Sequence, residues 1–83
     1  MKIIKISALW CPACIITNNA LDKLKDNYDF ELQELDYDFD DIAEYQVGDI
    51  LPVLIFIKEN EEIGRLVGEK NYKEIEEVLK KYE

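Results

Sequence analysis

Cys11 and Cys14 are the only cysteines of the chain, and they constrain it more than any other feature. They stand two residues apart, after the short apolar run Ile3-Ile4-Lys5-Ile6 and before a segment of helical periodicity. A strand that feeds Cys-x-x-Cys at the start of a helix is the layout of a redox dithiol. The first turn of a helix has N–H groups without intrahelical partners and carries the positive end of the macrodipole. A sulfur placed there is stabilised as thiolate, the form that attacks disulfides. A second thiol about one turn along can then close on the first.

Three other readings compete for the pair. A structural zinc site usually takes four ligands. The chain has no histidine and no second cysteine pair, so a closed site within one chain would need carboxylates. A structural disulfide across so short a loop constrains little chain entropy, and it suits a secreted context. Two inert buried thiols would leave their spacing beside Trp10 and Pro12 to chance. The redox reading is the strongest of the four.

Size and charge narrow the function further. The 83 residues make one domain, spanning 1–83, and the 48% hydrophobic content suffices for a core without a covalent staple. A Cys11–Cys14 disulfide is therefore functional rather than scaffolding. The net charge of −9 argues against nucleic acid and against an anionic membrane surface. It favours basic or neutral partner surfaces. Neither a signal peptide nor an apolar run long enough to span a bilayer is visible. A cytoplasmic setting is expected, where disulfides are transient and catalytic.

Along the chain, residues 2–8 read as a largely buried strand. Residues 11–26 read as a helix with Thr17, Leu21, Leu24 and Tyr28 at helical spacing and Ile15 and Ile16 nearby. Its polar face holds Asn18, Asn19, Asp22, Lys23 and Lys25, and Pro12 fits its first turn. Residues 30–36 form a second strand. The acidic stretch 36–41, with Tyr37 and Phe39, reads as a solvated connection, followed by a short helix over 42–45 and a turn at Gly48. Residues 52–57 are continuously apolar and predict a central strand covered on both faces. A turn at 58–61 leads to a returning strand over 62–67. Asn71 with Glu74 three residues on resembles a capping box, and Tyr72, Ile75, Leu79 and Tyr82 mark the apolar face of a last helix. The order is β-α-β-α-β-β-α, an α/β fold with a four-stranded mixed sheet: the first two strands are parallel, the last two form a hairpin, and helices are expected on both faces.

With these residues in order, the chain resembles the thioredoxin superfamily from end to end, at a size closer to a glutaredoxin. Trp10 before the first cysteine is thioredoxin-like, Ile50-Leu51-Pro52 before the central strand resembles the family's cis-proline, and Gly68 falls where thioredoxins carry a glycine. The resemblance implies that Cys11 is the exposed nucleophile and Cys14 the buried resolving thiol. It implies a cis Pro52 facing the dithiol, with the backbone of Leu51 pairing with an extended substrate segment by strand addition. Trp10, Pro12 and Gly68 would form part of the docking surface. The alternatives are an ordinary strand-start proline at Pro52, a partly buried core aromatic at Trp10 and a loop glycine at Gly68.

The departures from the family pattern carry information. Pro12-Ala13 stands where thioredoxins usually have Gly-Pro; a proline there is also found in glutaredoxins and in the oxidant DsbA, which span a wide range of potentials. Ala13 gives the thiolate no side-chain hydrogen bond, which argues against an extremely oxidising couple. Thioredoxins place a buried Asp below the dithiol, near a Lys on the next strand. By spacing, Lys5 occupies the Asp position and Glu34 the Lys position. A charge-swapped pair would put Lys5 below the cysteines, with Glu34 accepting the Cys14 proton; the alternative is a Lys5 that reaches solvent at a strand end. Glutaredoxins bind glutathione with basic groups and a Gly-Gly step, whereas Val67-Gly68-Glu69 has one glycine and an acidic neighbour, and only Lys5 and Arg65 are basic candidates.

The reading is a small thiol-disulfide oxidoreductase that reduces protein disulfides through Cys11 and Cys14. It binds no cofactor, acts as a monomer and is restored by a thioredoxin-reductase-like flavoprotein. Two other classes fit the same residues: a non-catalytic module that binds proteins at Leu51-Pro52, and a metal site shared between two chains. A glutathione-dependent enzyme and a disulfide oxidant or isomerase fit less well.

Overall fold

A computed structural model describes residues 1–82; Glu83, the last residue of the expected domain, lies outside the described residues. The elements are β1 (Lys2–Ser7), α1 (Pro12–Lys25), β2 (Glu31–Asp36), a single 3-10 turn (Ala43–Tyr45), β3 (Val53–Lys58), β4 (Glu61–Val67) and α2 (Tyr72–Tyr82). The sheet has four strands in the order β2-β1-β3-β4. β1 runs parallel to β2 and antiparallel to β3, and β3 runs antiparallel to β4. The sequence-based order of elements and the mixed sheet are both present.

Each element has a local cause. β3 is buried on both faces because Val53-Leu54-Ile55-Phe56 leaves no polar face to turn outward. The β3–β4 hairpin closes through Glu59 and Asn60, both at positive φ (54° and 65°), the geometry that matches the twist of a two-residue hairpin. α2 begins with a reciprocal cap: Glu74 N–H donates to Asn71 Oδ1 at 2.9 Å, and Asn71 N–H donates to Glu74 Oε1 at 3.4 Å.

Strand alternation divides the core in two. Ile3, Leu54 and Phe56 point to one face, where Ala20, Leu21 and Leu24 of α1 and Ile75 and Leu79 of α2 cover them. Ile4, Ile6, Val53 and Ile55 point to the other, against Cys11, Cys14 and Leu51, with Tyr37, Ile42, Tyr45 and Val47 packed over them. Helices lie on both faces, as expected, but unevenly. Both α-helices share one face, and the expected short helix on the other is one 3-10 turn. Five side chains of the 37–51 connection, Tyr37, Ile42, Tyr45, Val47 and Leu51, are enough to close that face without a longer helix. Its turn ends on Gln46, which adopts the left-handed conformation (φ 53°); Gly48 does not.

Thr17 ties the helical layer together. It is fully buried, and its Oγ1 accepts a hydrogen bond from Lys70 N–H at 3.2 Å, joining α1 to the loop before α2. Ile15 and Ile16 lie off this stripe and are exposed.

Candidate active site

β1 ends at Ser7, and the chain turns through Ala8, Leu9 and Trp10 into α1. Cys11 is the N-cap of that helix, with extended backbone (φ −98°, ψ 105°) and no side-chain cap. Its N–H donates to Ala8 C=O, and its own C=O accepts from Cys14 N–H, each at 3.2 Å. Pro12 follows at the first helical position, where a missing N–H leaves nothing unsatisfied. These constraints put a charge developing on Cys11 Sγ at the positive end of the helix. Both cysteines are free thiols, the reduced state of the pair.

The expected exposure of Cys11 is corrected by the structure: the residue is 6% exposed and Cys14 3%. Cys11 packs with Ala8, Leu51 and Val53 in the core cluster of the second sheet face, so only a thin edge of it meets solvent. Burial pushes the Cys14 thiol up to about 11, helped by its hydrogen bond with Cys11; the Ala8 backbone and the charge of Lys5 pull the other way.

That shift has a consequence for stability. An unfolded Cys14 titrates near 9.0 and the folded one near 11, so between these values the unfolded chain has lost a proton that the folded chain keeps. Stability from this group is intact below the lower value and falls as pH rises through the higher. In urea titrations the dithiol form will lose stability across this window more steeply than the Cys11–Cys14 disulfide form, which has no Cys14 thiol to titrate.

Below the cysteines lies the charged pair that spacing suggested. Lys5 and Glu34 are direct partners in the parallel β1–β2 register. Lys5 is 4% exposed and does not reach solvent; its Nζ stands 2.8 Å from Glu34 Oε1. The Glu34 side chain is 63% exposed and opens this buried cation to water on one side. The third partner was not expected. Asn18, assigned to the polar face of the helix, is half-buried, and its Oδ1 accepts a hydrogen bond from Lys5 Nζ. The signal was present in its place one turn after Cys14, on the same side of α1.

The Leu51–Pro52 peptide bond is cis. Pro52 and Leu51 are buried, with Leu51 in the same cluster as both cysteines. Pro52 C=O accepts a hydrogen bond from Gly68 N–H at 2.9 Å. Gly68 has φ 92°, a conformation open to glycine, and a Cβ there would stand 3.5 Å from Ile50 Cγ2. Gly68 thus has a conformational reason as well as a place beside the proline. Among the described residues Leu51 makes no backbone hydrogen bond of its own.

Trp10 is not a core aromatic: it is 59% exposed. Its Nε1–H donates to Asp38 Oδ2 at 2.7 Å, and its ring meets Tyr37 edge-on at 6.3 Å. Asp38, read from sequence as part of a solvated connection, positions the indole instead. The remaining basic candidate, Arg65, is already held: its Nε and a terminal nitrogen donate to the two Glu62 oxygens at 2.8 and 2.7 Å. That bidentate contact keeps the Glu62 carboxyl below its ordinary range.

The thioredoxin family model matches residues 1–81, across both cysteines, Pro52 and Gly68. The chain belongs to the thioredoxin family. The thioredoxin of Staphylococcus epidermidis is 31% identical over 86 residues, an alignment covering 99% of this chain and 82% of that protein. The Staphylococcus haemolyticus thioredoxin is 30% identical with the same coverage. Among solved structures, the reduced thioredoxin pre-protein of Schistosoma mansoni superposes with a TM-score of 0.87 at 25% identity, covering 99% of this chain and 78% of that one. This thioredoxin-family chain is a thiol-disulfide oxidoreductase of the protein disulfide reductase class, with Cys11 and Cys14 as its Cys-x-x-Cys pair. Among the described residues no group of three or more His, Cys, Asp or Glu side chains could hold a metal ion. Among the described residues no helix is long and apolar enough to cross a membrane.

Proposed function

We propose that Cys11 is the nucleophile and Cys14 the resolving thiol in the reduction of protein disulfides. The observation that carries this assignment is the position of Cys11 at the N-cap of α1 with the Cys14 thiol beneath it, held protonated by burial. The Cys11 thiolate attacks one sulfur of a partner disulfide. That S–S bond breaks, a mixed disulfide forms, and the departing partner thiolate takes up a proton. Cys14 then gives up its proton and attacks Cys11 Sγ. The Cys11–Cys14 disulfide forms, and the second partner thiol leaves. Two electrons pass from the dithiol to the partner.

Lys5 and Glu34 serve the second step. The cation at Lys5 favours the Cys14 thiolate, and Glu34 receives the proton through water from its exposed side. Pro12 and Trp10 border the nucleophile, while Leu51, Pro52 and Gly68 receive the partner as an added strand. Both electrons reside on sulfur, so the cycle uses no bound cofactor. A thioredoxin-reductase-like flavoprotein restores the dithiol of a monomeric, cytoplasmic carrier in cellular redox homeostasis.

The test is the equilibrium reduction potential of the Cys11–Cys14 couple, with turnover of a protein disulfide measured alongside. A potential near the thioredoxin value of about −270 mV, with turnover well above that of free dithiothreitol, is the expected result. A potential near the DsbA value of about −120 mV would make the chain an oxidant or isomerase. Binding without turnover would leave a recognition module. Failure to form the intramolecular disulfide, together with zinc-dependent dimers, would return the cysteines to metal binding.

A further inference from the structure

The two flanks of the dithiol differ in chemistry. On the β3–β4 side stand Leu51, Pro52 and Gly68, with Ile50 and Val67 exposed beside them. On the β2 side an open depression of about 310 Å³ is lined by Ser7, Leu9, Glu34, Leu35, Asp36 and Asp40. Leu9, almost wholly exposed, joins the depression to Cys11 two residues on. Three carboxylates thus stand around leucine side chains within the reach of anything bound at the nucleophile.

One of the three is spoken for. Glu34 Oε1 is paired with Lys5. Asp36 and Asp40 accept backbone N–H groups, Asp36 Oδ1 from Asp38 and Phe39 and Asp40 Oδ2 from Asp36, but among the described residues no cation pairs with either. The sequence supplies none nearby: from residue 26 to residue 57 there is no lysine or arginine. The bases at Lys2, Lys23, Lys25, Lys58, Lys80 and Lys81 lie at the ends of β1, α1, β3 and α2 remote from the cysteines. Two leucine side chains set among three carboxylates, two of them without a cation, match one kind of side chain, an alkyl stem that ends in a cation.

We propose that this depression is a subsite for a lysine or arginine of the substrate, so that the chain prefers disulfides in basic polypeptide segments. The inference rests on the disulfide-exchange reading above and names the substrate class of that site. The partner lays its backbone along Leu51 on one side of Cys11, and its basic side chain lies between Leu9 and the carboxylates on the other. The same field disfavours anionic disulfides.

The experiment uses symmetrical disulfides of one short cysteine peptide whose flanking residue is lysine, serine or glutamate. Each is reacted with the reduced chain in single turnover, and each rate is divided by that of the same disulfide with dithiothreitol. At low ionic strength the normalised rates are expected in the order lysine, serine, glutamate, with on the order of a tenfold spread between the extremes. Raising the salt to about 1 M, where the screening length is near 3 Å, will collapse most of the spread. Asp36→Asn with Asp40→Asn will lower the lysine-to-serine ratio while keeping side-chain oxygens as acceptors for the local N–H groups. Equal normalised rates at low salt overturn the proposal, as does a lysine preference that survives the double substitution. The salt titration on the unaltered chain decides the matter even if that variant does not fold. Failure of all three peptides, the serine one included, would instead strike at the disulfide-exchange reading.

Discussion

With Cys14 replaced by serine, the chain will capture disulfide substrates and hold them. Cys11 keeps its place at the helix N-cap, so the first exchange proceeds and one partner becomes covalently attached. No second sulfur stands below to displace it. Turnover falls to background, and the intact mass rises by that of one partner half. Cys11→Ser shows neither turnover nor adduct. Cys14 is 3% exposed, and a serine hydroxyl left there without a partner costs about 1–3 kcal/mol. Cys14→Ala gives the same adduct without burying a hydroxyl and separates loss of chemistry from loss of fold. A Cys14→Ser chain that released both product thiols at the normal rate would remove Cys14 from the resolving step.

The second large effect concerns Lys5. Lys5→Met keeps most of the buried stem and removes the charge that draws the Cys14 thiol downward. Without that charge the thiol, already raised to about 11, moves higher still. Less thiolate is then present at any given pH below that value, and the resolving step slows about three- to fourfold for each unit of added shift, because the more basic thiolate is also the better nucleophile. The alkaline limb of its pH profile moves to higher pH, which a merely structural role for Lys5 would not produce. Rapid-mixing measurements of mixed-disulfide decay between neutral pH and pH 10 check this. An unmoved profile would assign Lys5 to packing alone. Glu34→Gln separates the two parts of the pair: it leaves the cation in place and removes the proton acceptor, so it slows the step without the upward move. Because Glu34 is largely exposed, Lys5→Met leaves it solvated, and in Glu34→Gln the buried Lys5 keeps Asn18 Oδ1 and the new amide oxygen as acceptors.

Much of this site was legible because its signals are local or set by register. Cys11 and Cys14 declare themselves by spacing, and the Asn71–Glu74 cap by its three-residue interval. The apolar run after Pro52 can only be a strand buried on both faces. Lys5 and Glu34 could be paired on paper because by spacing they fall where the resembling family carries a buried Asp and a Lys on the next strand, and the observed register makes them direct partners. What sequence left out depends on direction in space. Periodicity gives α1 and the last helix an apolar stripe each, but it does not say on which side of the sheet each stripe lands; both landed on the same side. Asn18 looked like a surface residue because a polar amide is usually turned outward, yet a buried lysine needs acceptors, and the helix face above it supplied one. Cys11 was expected in the open because nucleophiles must be reached. The cluster of Ala8, Leu51 and Val53 around it forms only when the loop before β3 folds against the helix start.

The covering of the second sheet face has a bearing on how this molecule breathes. There a single 3-10 turn and a few side chains of the 37–51 connection do the work that two α-helices do opposite. Local opening is cheapest where ordered backbone is shortest and few apolar groups are held down. The same connection carries Asp38, which steadies Trp10, and ends in Leu51 and Pro52. The segment most ready to loosen is therefore the wall of the dithiol cleft. Fluctuations confined to it can uncover a cysteine that the resting fold leaves 6% exposed, while the strands and both helices stay in place.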